Sequence, residues 1–215
     1  MNLFDLFTYF YYITLLLALA SGLYRYKRLD KAARILCLLL GASAITEIIA
    51  AYAAYRYHNN IPVYSLYDLV EFLLTALYFN YTISAFRKYN TGIYVGIAGV
   101  VCGILNLVFL QPISRFNSNF LFLESTGIIV MSLTLLSELM LNRDQQELKR
   151  NPHAWFALIF ALFWSVTFLN WPLYDYFALH IKNGSFIIGY SMLAENIAMY
   201  GGITAVFLFY PRIQT

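Results

Sequence analysis

Apolar stretches long enough to cross a lipid bilayer recur along almost the whole chain, and short polar breaks separate them. A membrane-spanning helix needs about 20 predominantly apolar residues. Residues 6–24, 89–114 and 151–174 are runs of about that length or longer without a charged side chain. Because the remaining stretches have nearly the same length and are rich in Leu, Ile and Phe, the chain is expected to cross the membrane repeatedly.

The composition agrees with a chain that is almost entirely embedded in a membrane. It is 61% hydrophobic and 12% charged, whereas soluble domains usually contain about 25% charged residues. No segment remains that is long enough for a separate soluble domain. We therefore predict an all-α, polytopic membrane protein in which residues 1–215 form a single domain of seven transmembrane helices. The predicted spans are residues 6–25, 34–56, 64–86, 91–112, 119–141, 154–172 and 186–209.

The basic residues predict the direction in which these helices cross. Of the 14 lysines and arginines, all but Arg56, Arg115 and Lys182 lie at or after the end of the first, third, fifth or seventh predicted helix. An excess of Lys and Arg marks the cytoplasmic side of a membrane protein. The N-terminus is therefore predicted outside and the C-terminus in the cytoplasm, which requires an odd number of helices. We predict an inner-membrane or plasma-membrane location.

Four glutamates lie inside predicted spans. Glu47, Glu71, Glu124 and Glu195 belong to the second, third, fifth and seventh helices. A carboxylate in hydrocarbon costs roughly 2.5–3.5 kcal/mol on insertion scales, so it usually faces a protein interior or a water-filled cavity. With a helical rise of about 1.5 Å per residue, all four lie roughly 7–14 Å below the outer ends of their helices. This matched depth predicts one shared acidic chamber that opens to the outside.

The polar residues around the third-helix glutamate share one helical face. Asp68, Glu71, Thr75, Tyr78 and Thr82 are separated by alternating steps of three and four residues, which place them in one row on a helix. We expect this row to turn away from lipid.

Similar faces are predicted on two other helices. Glu124, Gly127, Met131, Thr134 and Glu138 repeat the spacing on the fifth helix. On the seventh helix, one flank carries the residues Ser191, Glu195 and Gly202.

Further polar residues are predicted to complete the site. Asn106 lies in the fourth predicted helix, Asn170 lies near the end of the sixth, and Asn196 directly follows the last of the four glutamates. Asp68 and Asp175 are predicted near the entrance of the chamber. The alternative is that these side chains only hold helices together through interhelical hydrogen bonds, worth roughly 0.6–2 kcal/mol each.

Carboxyl groups that lack internal counter-ions cannot all be ionised in a low-dielectric interior, so such a cluster suits a cation or exchangeable protons. Carboxylate oxygens are hard ligands, typical of sites for Ca²⁺, Mg²⁺ or Mn²⁺. If a metal binds, the four glutamates are its predicted ligands. The sequence identifies no cofactor.

Two other classes of seven-helix protein are disfavoured by single residues. The chain has three histidines, all outside the predicted spans and without HxxxH or HExxH spacing, so a zinc-dependent hydrolase is not expected. The seventh predicted helix contains no lysine, which a retinal-binding protein needs for its Schiff base.

The leading interpretation is a small transporter that binds a cation or a small polar solute, with coupling to protons as an option. Its expected partners are the lipid bilayer and that ligand, and no nucleic acid is expected. One alternative is a ligand-sensing membrane module that acts through a cytoplasmic protein partner. A second is a lipid enzyme that uses two carboxylates as acid and base, with Glu71 and Glu195 as the first pair to test. The chain is more readily interpreted as a non-enzyme.

Overall fold

The computed structural model describes residues 3–115, 117–142, 145–181 and 184–210, without the side chains of residues 145, 171–179 and 184–186. Within these ranges the chain is helical apart from short connections, and it contains no β-strand. The α-helices in chain order are α1 (Leu3–Arg25), α2 (Lys31–Tyr57), α3 (Ile61–Thr82), α4 (Ser84–Tyr89), α5 (Thr91–Leu105), α6 (Ser118–Asn142), α7 (Gln145–Arg150), α8 (Pro152–His180) and α9 (Gly184–Leu208).

Seven segments in the described part of the chain are long and apolar enough to cross a membrane, which confirms the predicted number. They are Leu3–Arg28, Lys31–Tyr57, Ile61–Thr82, Thr91–Leu110, Ser118–Asn142, Pro152–Asn170 and Ile187–Leu208. Many large apolar side chains on them remain exposed, such as Ile48 on α2 and Phe109 after α5. Exposed apolar surface of this kind is expected where helices face lipid. The protein is a multi-pass membrane protein, and the direction of crossing stays a prediction.

Local chemistry explains where several helices begin and end. The Asp30 side chain accepts a hydrogen bond of 2.8 Å from Ala33 N and caps the start of α2, as expected for an aspartate at this position. His58 ends α2 in a left-handed conformation, with φ 54°. Pro62 lies in the first turn of α3, where its missing N–H leaves no helical hydrogen bond unmade.

The last turn after α5 is wider than an α-helix. Residues Asn106–Leu110 form a π-helical turn, closed by a 2.8 Å hydrogen bond from Gln111 N to Asn106 O. Turns of this type are rare and frequently occur at functional sites. Here the turn directs the chain from the span of α5 into the polar connection that leads to α6.

The chain divides into two compact units. The α3 unit comprises Leu29–Met131, and the α9 unit comprises Met1–Arg28 with Ser132–Thr215. In the α3 unit, α3 packs against α2 and α5. The Phe72 ring of α3 also meets the Phe120 ring of α6, with centroids 6.1 Å apart. Helix α3 is therefore the element that the other helices of this unit share.

Helices α3 and α5 approach each other closely along a stripe of glycines. Gly92, Gly96, Gly99 and Gly103 are all buried. A Cβ atom at Gly92 would lie 2.6 Å from the Ala76 carbonyl oxygen, too close for any side chain. Small residues spaced in this way let two membrane helices pack backbone against backbone. The stripe fixes the position of α3 against α5.

In the α9 unit, α9 packs against both α1 and α8. Near the start of α1, the Phe4 ring meets the Tyr190 ring with centroids 5.4 Å apart. At the opposite end, Arg25 Nη2 donates a 2.8 Å hydrogen bond to Leu208 O. The starts of α1 and α9 are in contact with each other, and so are their ends, so the two helices run parallel. This is the relative direction expected for the first and seventh spans of a seven-span chain.

Candidate functional site

The polar row predicted on α3 turns into the interior of the α3 unit. Asp68, Thr75 and Tyr78 are buried, with Asp68 9% exposed. Glu71 and Thr82, on the same face, are partly buried. The helical spacing therefore predicted which face of α3 is turned inward. The face is buried because α3 has protein neighbours on several sides. Asp68 lies among the buried side chains, and its place near the entrance of a chamber stays a prediction.

Three carboxyl groups on α3 and α6 lie within electrostatic range of one another. Asp68 and Glu71 interact electrostatically, and Glu124 of α6 interacts with both of them. The structure thus brings together two of the four predicted glutamates and adds the aspartate to them. We call Asp68, Glu71 and Glu124 the acidic cluster.

Glu124 is the most unusual member of the acidic cluster. Its side chain is 0% exposed, yet neither carboxyl oxygen has a hydrogen-bond partner among the described residues. Buried polar side chains in native proteins almost always find a partner, and each exception calls for an explanation. Leaving such a group unsatisfied costs about 1–3 kcal/mol, and more when it is charged.

The buried face of α6 differs from the face that the spacing predicted. Glu124 and Met131 are buried as expected, but Thr134 is exposed. Ser125 and Ser132, which the sequence analysis did not select, are each 0% exposed. Helix α6 carries more apolar than polar residues, so the packing of its apolar side chains sets the rotation of the helix about its axis. This rotation leaves Thr134 outside the buried face.

A network of amide side chains lies at the junction of α5 and α6. Asn106 Nδ2 donates to Asn117 Oδ1 at 2.6 Å and to Gln111 Oε1 at 3.1 Å, while Asn106 Oδ1 accepts from Asn119 Nδ2 at 3.2 Å. Gln111 Nε2 in turn donates to Ser118 Oγ at 2.9 Å. The predicted site residue Asn106 is therefore buried within a hydrogen-bonded network.

Asn117 connects the amide network to the acidic cluster. It is 1% exposed and lies beside the Asp68 carboxyl. Its Nδ2 atom nevertheless makes no hydrogen bond of good geometry to any described residue. The sequence pattern does not point to Asn117, because it lies in a polar connection, where an asparagine is usually part of an exposed turn.

Glu47 belongs to the contact between α2 and α3. Its Oε2 accepts a 3.1 Å hydrogen bond from the Tyr64 hydroxyl. One helical turn away, Ser43 Oγ lies 2.5 Å from the Tyr67 hydroxyl, and Tyr67 is hydrogen-bonded to Glu71. Both pairs link the same two helices, and the second one leads directly to the acidic cluster.

Glu195 lies in the α9 unit and is satisfied by neighbours there. Its Oε2 accepts a 3.2 Å hydrogen bond from Thr167 Oγ1, and its Oε1 accepts a bond from Asn170 Nδ2. Asn170 Nδ2 also reaches Ser191 Oγ at 3.3 Å. The predicted pairing of Asn170 with the Glu195 region is present, and it joins α8 to α9. A single chamber for all four glutamates stays a prediction.

The remaining predicted site residues are Asn196 and Asp175. Asn196 Nδ2 donates a 2.8 Å bond to Met192 O of its own helix, so this amide group is engaged within α9. The side chain of Asp175 lies outside the described residues. Among the side chains that are described, no three His, Cys, Asp or Glu residues are grouped in a way that could hold a metal ion.

The glycine stripe of α5 is a further feature that sequence analysis missed. A Cβ atom on Gly99 would collide with the Phe72 ring, and one on Gly127 of α6 would lie 3.0 Å from the other edge of that ring. Phe72 follows Glu71 directly in the chain, so these glycines contact the helix that carries Asp68 and Glu71. The signal was available in the sequence, as glycines at positions 92, 96, 99 and 103 follow steps of four, three and four residues.

Comparison with known proteins adds no relative: no protein family, curated protein or solved structure matches this chain.

Proposed function

We propose that this chain is a small transporter of the inner or plasma membrane, which binds a small organic cation or polar solute at the acidic cluster and couples its movement to protons. The binding groups are Asp68, Glu71 and Glu124. The observation that carries the proposal is Glu124, which is completely buried while both of its carboxyl oxygens lack a partner among the described residues.

A purely structural carboxyl in a membrane protein is expected to resemble Glu195, whose two oxygens accept hydrogen bonds from Thr167 and Asn170. Such bonds hold neighbouring helices together. Glu124 has no bond of this kind within the described part of the chain. Retaining an unsatisfied buried carboxyl lowers stability, so a ligand or proton that satisfies it would account for its presence.

The chemistry of the cluster favours a cation with several N–H or O–H donors. An ammonium group carries donors and positive charge, and hydrogen bonds between charged partners are about twice as strong as neutral ones. Asn117 Nδ2, beside Asp68, supplies a buried donor that also lacks a partner of good geometry. A solute that combines an ammonium group with an oxygen acceptor would satisfy both kinds of group.

Transport is tested with the purified protein in liposomes on a solid-supported membrane. Choline, ethanolamine, spermidine and guanidinium are applied separately, with and without a pH difference across the membrane. We expect at least one probe to produce a protein-dependent current. Glu124→Gln should reduce this current about tenfold or more, as loss of one charge-assisted bond would.

Glu195→Gln is the matched control, because it changes the same residue type in another membrane-spanning helix where the side chain has partners. The current should fall by no more than about twofold, since a glutamine can still accept from one partner and donate to the other. Equal loss of current in both variants would contradict the assignment of the site to the acidic cluster. Binding of a probe without any current would favour the sensing alternative, and consumption of lipid would favour the enzyme.

A further inference from the structure

A short chain of hydroxyl groups leads from the acidic cluster to α2. Ser43 Oγ lies 2.5 Å from the Tyr67 hydroxyl, and either atom can be the donor. Ser43 Oγ is also 3.0 Å from Leu39 O of its own helix. At the other end, the Tyr67 hydroxyl is hydrogen-bonded to the Glu71 carboxyl. Ser43 is 5% exposed, so little water competes for these bonds.

Each hydroxyl in this chain carries one hydrogen and can therefore donate only one bond. When Glu71 is ionised it can only accept, so Tyr67 donates to Glu71 and Ser43 donates to Tyr67. When Glu71 is protonated it can donate to the Tyr67 oxygen. Tyr67 then donates to Ser43, and Ser43 donates to the Leu39 carbonyl. The same atoms thus support two complete arrangements that differ in the charge of Glu71.

We propose that Tyr67 and Ser43 are positioning residues that couple the protonation of Glu71 to α2 by reversing the direction of their hydrogen bonds. No covalent bond is broken in the chain, because the two hydroxyl hydrogens rotate and the added proton stays on Glu71. This inference rests on the proposed function only in that Glu71 exchanges a proton.

The other titratable groups around Glu71 come from three helices. Asp68 lies on the same helix, and Glu124 interacts with Glu71 from α6. From α2, Glu47 is bonded to Tyr64, one turn away from the Tyr67 contact. Helix α5 presents its glycine stripe to α3. The experiment must therefore separate the Glu71 response from those of the other carboxyls.

Replacing either hydroxyl should move the Glu71 response, and in opposite directions. Tyr67→Phe removes a donor from ionised Glu71 and an acceptor from protonated Glu71. Since bonds to charged groups are the stronger ones, the protonated form is favoured and the response moves to higher pH. Ser43→Ala removes one bond from each arrangement, because Ser43 donates to Tyr67 in one and accepts from it in the other. With Glu71 ionised, the Tyr67 hydrogen keeps its bond to the carboxylate, whereas with Glu71 protonated it has no acceptor left in the chain of hydroxyls, so the ionised form is favoured. The response then moves to lower pH.

The measurement is infrared difference spectroscopy of the full-length protein in lipid during a pH titration. The carbonyl stretch of protonated Glu71 is identified as the band that disappears in Glu71→Gln. We expect its midpoint to rise in Tyr67→Phe and to fall in Ser43→Ala, each by about half to one pH unit. Tyr64→Phe removes a tyrosine hydroxyl from the same α2–α3 contact, one that donates to Glu47, and it should leave the midpoint in place.

A role in packing alone would move neither midpoint, or would move both in the same direction, and either result overturns the proposal. The result does not depend on solute transport, because the band reports the carboxyl itself. Opposite midpoint shifts without any transport current would contradict the proposed transport function and support the role of Tyr67 and Ser43. A transport current with unchanged midpoints would support the transport function and contradict the role of Tyr67 and Ser43.

Discussion

Glu124 and Glu195 are the same residue type in two membrane-spanning helices, but their surroundings differ. In the α9 unit, Glu195 accepts bonds from Thr167 and Asn170, and these bonds join α8 to α9. In the α3 unit, Glu124 is fully buried beside two other carboxyls, and its oxygens have no hydrogen-bond partner among the described residues. An intramembrane carboxyl is thus not by itself evidence of a binding site. Its hydrogen bonds distinguish a structural carboxyl, such as Glu195, from a candidate binding group, such as Glu124.

The contacts between helices also differ between the two units. In the α3 unit, glycines bring α5 so close to α3 that the Phe72 ring touches Gly99 on one edge and Gly127 on another. In the α9 unit, the contact between α1 and α9 includes aromatic rings, for instance those of Phe4 and Tyr190. The acidic cluster lies in the unit where a glycine stripe faces the helix that carries Asp68 and Glu71.

The largest difference between the units should appear on enlarging a glycine. Gly99→Ala places a methyl group against Phe72, which cannot retreat because Gly127 lies at its other edge. Overpacking of this kind costs about 1–3 kcal/mol or more. Gly202→Ala in the α9 unit meets the flexible end of Ile159, with the nearest atom 3.0 Å away, and should cost less. Thermal unfolding in detergent compares the two, and equal melting temperatures would contradict the difference in packing.

Replacing the two glutamates by methionine should change stability in opposite directions. Glu195→Met removes the acceptor of Thr167 Oγ1 and one of the two acceptors of Asn170 Nδ2, which should cost about 1–3 kcal/mol. Glu124→Met exchanges an unsatisfied buried carboxyl for an apolar side chain of similar length, so the melting temperature should stay the same or rise. The same unfolding assay measures both. A clear loss of stability in Glu124→Met would mean that Glu124 has a structural partner after all.

The smallest difference concerns two asparagines. Asn106→Ala removes three hydrogen bonds that connect α5, the polar connection and α6, and it should cost about 1–3 kcal/mol. Asn196→Ala removes a bond to the carbonyl of its own helix and should stay within about 0.5 kcal/mol of the wild type. If Asn106→Ala proves as mild as Asn196→Ala, the amide network does not stabilise the α5–α6 junction.

Much of the fold could be predicted from the pattern of apolar residues. The second predicted span, 34–56, corresponds to α2 at Lys31–Tyr57, and the fifth, 119–141, corresponds to α6 at Ser118–Asn142. Lipid imposes this agreement, because a spanning helix must satisfy its backbone internally and remain apolar over the width of the membrane. The helical spacing also predicted the buried face of α3.

The candidate site was only partly predictable. The spacing on α6 selected Thr134, which is exposed, and missed Ser125 and Ser132, which are buried. Asn117 and Tyr67 were missed because their importance depends on contacts with other segments of the chain. Spacing along one helix identifies a face, but it does not identify the residue on another helix that meets it.

The sequence by itself determined the number of spans and their approximate limits, since these depend on local apolar length. It also determined which carboxyls lie within spans. Only the tertiary structure decided that Glu124 joins Asp68 and Glu71 without hydrogen-bond partners, while Glu195 is bonded to Thr167 and Asn170. The physical reason is that a hydrogen bond requires two groups at a specific distance and angle, and helix packing alone brings residues this far apart in the chain into that geometry.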